Sequence, residues 1–231
     1  MKNIIVLISI CLLLISCSHN NYNRENDYTQ KLGFFPHAIV EHFPKWKDIP
    51  TATDVNVVSV GFKSVNKEFI KTHNPFPFHL FLGIGYKQDT LYYLTKNKLL
   101  DTNGYKAISV KDTNYLIALE VPFKPEGGGS VYYENYEDSV KEKEVIARNL
   151  RMNNTDVILP IFEQNDLSDI GLSDDYKIYF IDSKRGKFVD KVYYDTDTTI
   201  SLMPDNWKHG YSRGYALSDK QKEIIYWVVV W

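Results

Sequence analysis

Apolar residues along the chain are spaced mostly as they are in β-strands. The segment VNVVSVGF at 55–62 alternates moderately, and the apolar runs FPFHLFLGIGY and TLYYLT are separated by Gln88 and Asp89, which favours a hairpin. The tetrapeptide DTNG at 101–104 contains the Asn-Gly pair that type I′ turns prefer, because both central residues need positive φ. It leads into YKAISV and then YLIALEV. The pattern therefore predicts an antiparallel meander over about 78–121.

The second half of the chain repeats this strand-like pattern. DVILPIF, YKIYFI and KFVDKVYY are predicted strands, and the last two are joined by a predicted solvated hairpin tip, DSKRGK at 182–187. The chain closes on the apolar run at 224–231, which is typical of a strand buried on both faces. Gly83-Ile84-Gly85 lies inside a strand pattern with no helix after it, so it is interpreted as a bulge or kink and not as a nucleotide-binding loop.

Two segments have helical signals. PHAIVEHFP at 36–44 begins and ends with proline, which suits a short helix because proline tolerates the first turn but cannot continue a helix. Ser139 and Glu142 form a capping box at the start of a longer amphipathic segment at 138–152. The fold class predicted is therefore α+β: a mostly antiparallel, curved sheet of about seven to ten strands with one main helix and a short N-terminal helix.

The first residues have the features of an export signal. Lys2 supplies a positive start, and the apolar run that follows at 4–15 is shorter than the roughly 20 residues that span a bilayer as a helix. Small Ser16 stands where a signal peptidase requires a slim side chain. The run is therefore interpreted as a cleaved signal and not as a membrane span.

The end of this signal, Leu14-Ile15-Ser16-Cys17, resembles the lipobox of bacterial lipoproteins. The resemblance covers the first 17 residues only, and it implies cleavage before Cys17 and acylation of its thiol. The alternative is an ordinary secretory signal that is cut slightly later. The organisation expected is a signal peptide at 1–16, a flexible, Asn-rich and charged tether at 17–31, and a single globular domain at 32–231. The localisation expected is the bacterial cell envelope, with the membrane contacted through lipidated Cys17.

Composition excludes several classes of function. The only cysteines, Cys11 and Cys17, lie within or at the end of the signal, so the domain has no disulfide, thiolate nucleophile or Cys-based zinc site. Lys and Arg number 27 against 29 Asp and Glu, without the clustered basic surface that a nucleic-acid partner requires. Aromatic residues make up 14% of the chain, which suits either a sheet core or a sugar-binding face.

No motif predicts a catalytic centre or a cofactor. Gly210-Tyr211-Ser212-Arg213-Gly214 matches G-x-S-x-G, but no histidine follows it, so two permissive glycines in a turn are the preferred interpretation. Asp195-Thr196-Asp197 opens like a calcium loop, yet Ile200 stands where glycine is needed, which rejects an EF-hand and leaves a looser oxygen-ligand site open. The six histidines show no metal-ligand spacing. No catalytic residue, resident metal or cofactor is therefore predicted.

One loop-like segment, MPDNWKHGYSRGY at 203–215, concentrates aromatic and polar side chains that suit binding. Such side chains can stack on a sugar or anchor a protein partner, whereas the alternative is that they pin a long loop to the core. A binding surface would require them to be partly exposed and to converge on one concavity. The candidate binding residues are Asp205, Asn206, Trp207, His209, Tyr211, Arg213 and Tyr215.

Two functions of different classes remain open from the sequence. The first is a lipid-anchored binding module of the bacterial envelope without catalytic activity, whose partner is a glycan or an envelope protein. The alternative is an envelope hydrolase acting on glycan or peptide through carboxylates such as Asp195, Asp197 or Asp205, which would need a carboxyl pair about 5–10 Å apart in a cleft.

Overall fold

The computed structural model describes residues 24–60, 78–101, 105, 107–111, 159–160, 162, 171–189 and 209–231. Within these residues, six strands form one sheet in the order β1-β2-β6-β5-β4-β3, and every neighbouring pair is antiparallel. Together with the helices, this confirms an α+β architecture with an antiparallel sheet. The strands are β1 Thr53–Val60, β2 Phe78–Tyr86, β3 Ala107–Ser109, β4 Tyr176–Arg185, β5 Gly210–Ser218 and β6 Glu223–Val230.

The C-terminal strand β6 lies in the interior of the sheet, between β2 and β5. Its residues 224–231 were predicted to form a strand buried on both faces, and the structure confirms this, since nearly all of them have little exposed surface. An apolar run without alternation fits this position because both faces of the strand are covered.

Alternate residues of the strands pack into two separate clusters. On one face, which we call the helix-covered face, Leu82, Tyr215 and Tyr226 pack against Ile39 and Phe43 from the N-terminal segment. The opposite face is named the tryptophan face, because Trp227 and Trp231 lie there with Ala216 and Ile178. Leu159, Phe162 and Leu172 cover part of this second face.

The N-terminal segment is folded onto the helix-covered face. Helix α1 includes residues 24–33, helix α2 is His37–Val40, and a 3₁₀ turn follows at Trp46–Asp48. Helix α2 confirms the short helix predicted between the prolines. Tyr28 of α1 is 1% exposed and its hydroxyl donates a 2.7 Å hydrogen bond to the Pro44 carbonyl. The predicted tether to residue 31 is therefore wrong from residue 24 onward, since one buried aromatic side chain anchors an otherwise polar helix.

The apolar run TLYYLT was predicted as a strand and is instead part of helix α3, Asp89–Asp101. The hairpin across Gln88 and Asp89 is therefore wrong, since Asp89 lies in the first turn of the helix. Tyr92 is fully buried whereas Leu94 is 64% exposed, as one-sided helical packing requires. A short apolar run fits a strand and a helix equally well by its period alone, so the period of this run did not predict the helix.

Three smaller predictions are also wrong. Gly83 and Gly85 form no bulge, since the register of β2 is unbroken against both neighbours. The supposed hairpin tip does not begin at Asp182, because β4 continues to Arg185 and pairs there with Gly210 of β5. The segment GYSRGY, interpreted as part of a loop with a glycine-rich turn, lies in β5, an interior strand.

Several predicted elements lie outside the described residues. These are the signal and lipobox at 1–17, the DTNG turn at 102–104, residues 112–121, the main helix at 138–152 and the strand KFVDKVYY beyond 189. The meander predicted over about 78–121 is wrong in its described part, because a helix follows β2 and β3 pairs with β4. Of the predicted strand DVILPIF, only Leu159, Pro160 and Phe162 are described, and these three are not in a strand.

The small residues of β5 make room for Trp227 of β6 and for Trp231, which directly follows β6. Gly214 faces Trp227 in the register, and Gly210 exchanges both backbone hydrogen bonds with Trp231. A Cβ at Gly214 would lie 2.7 Å from the Trp227 ring and would also collide with the Tyr179 carbonyl oxygen. Since this oxygen belongs to the backbone and cannot rotate away, glycine is required at position 214 because a side chain has no room, and not because of an unusual φ.

We predict that Gly214→Ala destabilises the protein by about 1–3 kcal/mol, because the indole or the neighbouring strand must shift. Gly33→Ala is the matched control, since a Cβ there would meet no heavy atom within 4 Å and alanine is favoured in a helix. Urea denaturation measures both free energies of unfolding. Equal stability of the two variants would contradict the close packing of Trp227 over Gly214.

Candidate ligand-binding pocket

The segment predicted as a binding loop forms part of the sheet. Tyr211, Arg213 and Tyr215 alternate along β5 and point to the helix-covered face, where they are 2%, 8% and 4% exposed. Ser212 points the other way and is completely buried, which excludes a nucleophile elbow at this serine. The expectation that these side chains stand on an exposed loop is wrong, because β4 and β6 enclose the strand on both edges.

Arg213 is held rigidly by the neighbouring strand and by helix α2. Its Nε donates a 2.7 Å hydrogen bond to Oδ1 of Asp182, and its Nη1 donates a 2.5 Å bond to the Ala38 carbonyl. The second carboxylate oxygen of Asp182 accepts a 3.0 Å bond from the Tyr211 hydroxyl. Strand β4 has a register shift between Phe180 and Asp182, and this irregularity brings the carboxylate opposite Arg213.

Glu41 contacts the outer edge of the same guanidinium more weakly. Both Nη1 and Nη2 of Arg213 lie 3.3 Å from a single oxygen of Glu41, Oε1. The Glu41 side chain is 55% exposed, whereas that of Asp182 is 28% exposed. The two ion pairs of Arg213 therefore differ in kind: the inner one is short and partly buried, and the outer one is long and open to solvent.

The local charges agree with this arrangement. Burial alone would lower the pKa of Arg213, but the hydrogen bond and the charge of Asp182 outweigh burial and raise it. Burial, helped by Asp182, raises the pKa of Tyr211 to about 12. At neutral pH, Arg213 is therefore charged and Tyr211 keeps the proton that it donates to Asp182.

Beside Arg213 lies a cavity of about 290 Å³. The rings of Tyr105 and Tyr215 meet edge to face there, with centroids 5.9 Å apart. His42 is only partly exposed, its Nε2 lies 3.1 Å from the Trp227 carbonyl, and its Nδ1 is buried without a hydrogen-bond partner. Burial lowers the pKa of His42 to about 3, so it is neutral at pH 7. The lining residues are Glu41, His42, Tyr105, Ile181, Arg213 and Tyr215.

The structure brings together only part of the predicted binding set. Arg213 and Tyr215 line the cavity, and Tyr211 supports it through Asp182. His209 precedes β5 and its carbonyl accepts a 2.9 Å bond from the Gly186 amide, but it is not a lining residue. Asp205, Asn206 and Trp207 lie outside the described residues, as do the possible calcium ligands around Asp195.

Sequence reasoning missed four lining residues: Glu41, His42, Tyr105 and Ile181. Glu41 and His42 stand in the short segment that ends the predicted helix, but Arg213, the partner of Glu41, is 172 positions away, and Trp227, the partner of His42, is 185 positions away. No local pattern indicates such a pairing. Tyr105 and Ile181 belong to segments interpreted as strands, where aromatic and β-branched residues are ordinary.

The cavity brings charged, polar and aromatic side chains together. It presents a guanidinium edge, the Glu41 carboxylate, two phenol groups, a neutral imidazole and the aliphatic side chain of Ile181. Within the described residues, no group of three or more His, Cys, Asp or Glu side chains is arranged to hold a metal ion. Comparisons with protein-family models, with curated proteins and with solved structures found no match to this chain.

We predict that the two ion pairs of Arg213 contribute unequally to stability. Asp182→Asn leaves a nearly buried guanidinium without its closest negative charge and should cost about 2–3 kcal/mol. Glu41→Gln removes an exposed, long pair and should cost less than about 1 kcal/mol. Chemical denaturation of both variants at neutral pH provides the test. A larger loss from Glu41→Gln than from Asp182→Asn would contradict this assignment.

Proposed function

We propose that this protein is a lipid-anchored binding module of the bacterial cell envelope that holds a small polar ligand beside Arg213. The observation that carries the proposal is the cavity between α2 and β5, where a charged guanidinium edge lies next to two tyrosine rings. Ligand sites typically combine aromatic side chains with a few fixed polar groups, as this cavity does. The volume of about 290 Å³ suits a small molecule or one residue of a larger glycan or peptide.

The anchoring part of the proposal is supported by the sequence Leu14-Ile15-Ser16-Cys17, which lies outside the described residues. Two or three acyl chains on Cys17 would hold the protein stably at a membrane, since each buried CH₂ contributes about 0.8 kcal/mol. Among the described residues, no helix combines the length and the apolar character needed to cross a bilayer.

The alternative of a hydrolase has less support. The carboxylates on which it rests, Asp195, Asp197 and Asp205, lie outside the described residues. The two carboxylates near the cavity, Glu41 and Asp182, both pair with Arg213. Arg213 therefore engages both carboxylates, whereas glycoside hydrolysis needs two carboxyl groups that face the bond to be cleaved.

We predict that Cys17→Ala blocks lipidation and leaves an unprocessed or unlipidated precursor. Cys11→Ala is the matched control, because it removes the other cysteine while keeping the run at 4–15 apolar. Membrane fractionation and mass spectrometry of the N-terminus measure both variants. Normal processing and membrane association of Cys17→Ala would refute the lipid anchor.

We predict that the cavity binds a member of a panel of small envelope components: N-acetylglucosamine, N-acetylmuramic acid, and D- and L-amino acids. Binding to the full-length protein in detergent is measured by ligand-observed NMR. Ile181→Phe should weaken it at least about tenfold by filling the cavity. Val58→Phe, at a position 41% exposed on β1, should leave it unchanged. Failure of the whole panel would refute a site for these envelope components, and equal binding by Ile181→Phe with its melting transition intact would refute a ligand site in this cavity.

A further inference from the structure

The outer edge of Arg213 indicates the chemical class of ligand. We infer that the ligand carries a carboxylate, which takes the place of Glu41 on Nη1 and Nη2 of Arg213. This inference rests on the proposed function, because it concerns the same cavity.

The guanidinium is already fixed on its inner side. Asp182 accepts from Nε and the Ala38 carbonyl accepts from Nη1, so the plane of the group is set by two separate elements of the fold. With this orientation fixed, Arg213 presents an edge with donors on both Nη1 and Nη2. Such an edge matches two oxygens of one carboxylate, which is the geometry in which arginine binds carboxylates best.

Glu41 occupies this edge incompletely. It offers one oxygen to two donors, and both distances are 3.3 Å, which is long for a charge-assisted hydrogen bond. Its side chain is 55% exposed and can turn into solvent without leaving a buried charge. A ligand carboxylate that adds no charge and no bulk on the inner side of Arg213 would therefore replace Glu41 at little cost in free energy.

The charges around the cavity favour a ligand anion that replaces Glu41 over one that binds beside Glu41. With Glu41 in place, Arg213 already faces two carboxylates, Asp182 and Glu41. His42 is neutral at pH 7 and supplies no further positive charge. A second anion could not join Glu41 without repulsion, whereas an anion that displaces Glu41 leaves the number of charges around Arg213 unchanged.

The rest of the cavity sets the size of the ligand body. Ile181 is the aliphatic side chain of the lining, and the phenol side chains of Tyr105 and Tyr215 lie beside it. A volume of about 290 Å³ lies near the lower limit for small-molecule sites. The ligand that fits is thus a small monocarboxylate, or a chain terminus, with a short apolar or amide-bearing body.

The test compares acids with amides of the same shape. Benzoate and N-acetylalanine are the acid probes, and benzamide and N-acetylalaninamide are their neutral counterparts. Dissociation constants for the full-length protein in detergent are measured by NMR titration at pH 7. We expect the acids to bind at least about tenfold more tightly than the amides, because only they satisfy both Nη donors with charge.

Glu41→Gln tests the displacement itself. It should tighten binding of the acids by up to about fivefold, since the competing internal carboxylate is gone, and should leave the amides nearly unchanged. Glu25→Gln, which removes the same charge at an exposed position of α1, is the control and should change neither. Weaker or unaltered acid binding by Glu41→Gln would overturn the displacement.

Two other outcomes separate this inference from the proposed function. Equal binding of acids and amides would overturn the carboxylate assignment and leave a ligand site in place. Binding of neutral sugars from the envelope panel, with no binding of either acid, would do the same. Absence of any binding in both panels would overturn the inference and the proposed function together.

Discussion

Arg213 places a permanent positive charge on an interior strand at 8% exposure, and the structure around it is arranged to neutralise that charge. The irregularity of β4 brings Asp182 opposite it, and α2 contributes the Ala38 carbonyl. The carbonyls at the end of a four-residue helix lack intrahelical partners. The bond from Arg213 therefore satisfies both the Ala38 carbonyl and one guanidinium donor. One side chain therefore joins the N-terminal segment to the centre of the sheet, and the cavity lies where they meet.

The opposite face of β5 is governed by shape and not by charge. There the strand carries only small residues, Gly210, Ser212, Gly214, Ala216 and Ser218, while Trp227 of β6 and Trp231, which follows β6, lie on the same face. Cross-strand pairing of glycine with tryptophan fills the space that the glycine leaves and fixes the register of the two strands. This fixed register also sets the positions of Tyr211, Arg213 and Tyr215 on the helix-covered face, so the packing of one face determines the geometry of the other.

The sequence predicts the elements whose own residues determine their burial. The run at 224–231 is apolar at every position, and prolines bracket α2, so both were predicted correctly. Strand β5 was missed because glycine, serine and arginine are weak strand formers. Its small residues alternate with large ones, and this alternation is explained only by the two tryptophans that pack against the small residues. Helix α1 was missed because one buried residue, Tyr28, holds it. In each case the deciding partner is remote in the chain.

The residues of the candidate site, like the strands and helices, were predicted only in part from the sequence. Arg213 and Tyr215 were identified as binding residues by their chemistry. They were expected on a loop, however, where exposure would have made them a stacking surface for a ligand. As buried members of a strand, they have a different role: Tyr215 packs against Tyr226 and Tyr105, and Arg213 offers only one edge of its guanidinium. Recognition at such a site depends less on aromatic area than on what replaces Glu41 at that edge. In the proposed exchange, the charge of the ligand is selected at this guanidinium edge, and its size is limited by the rest of the cavity.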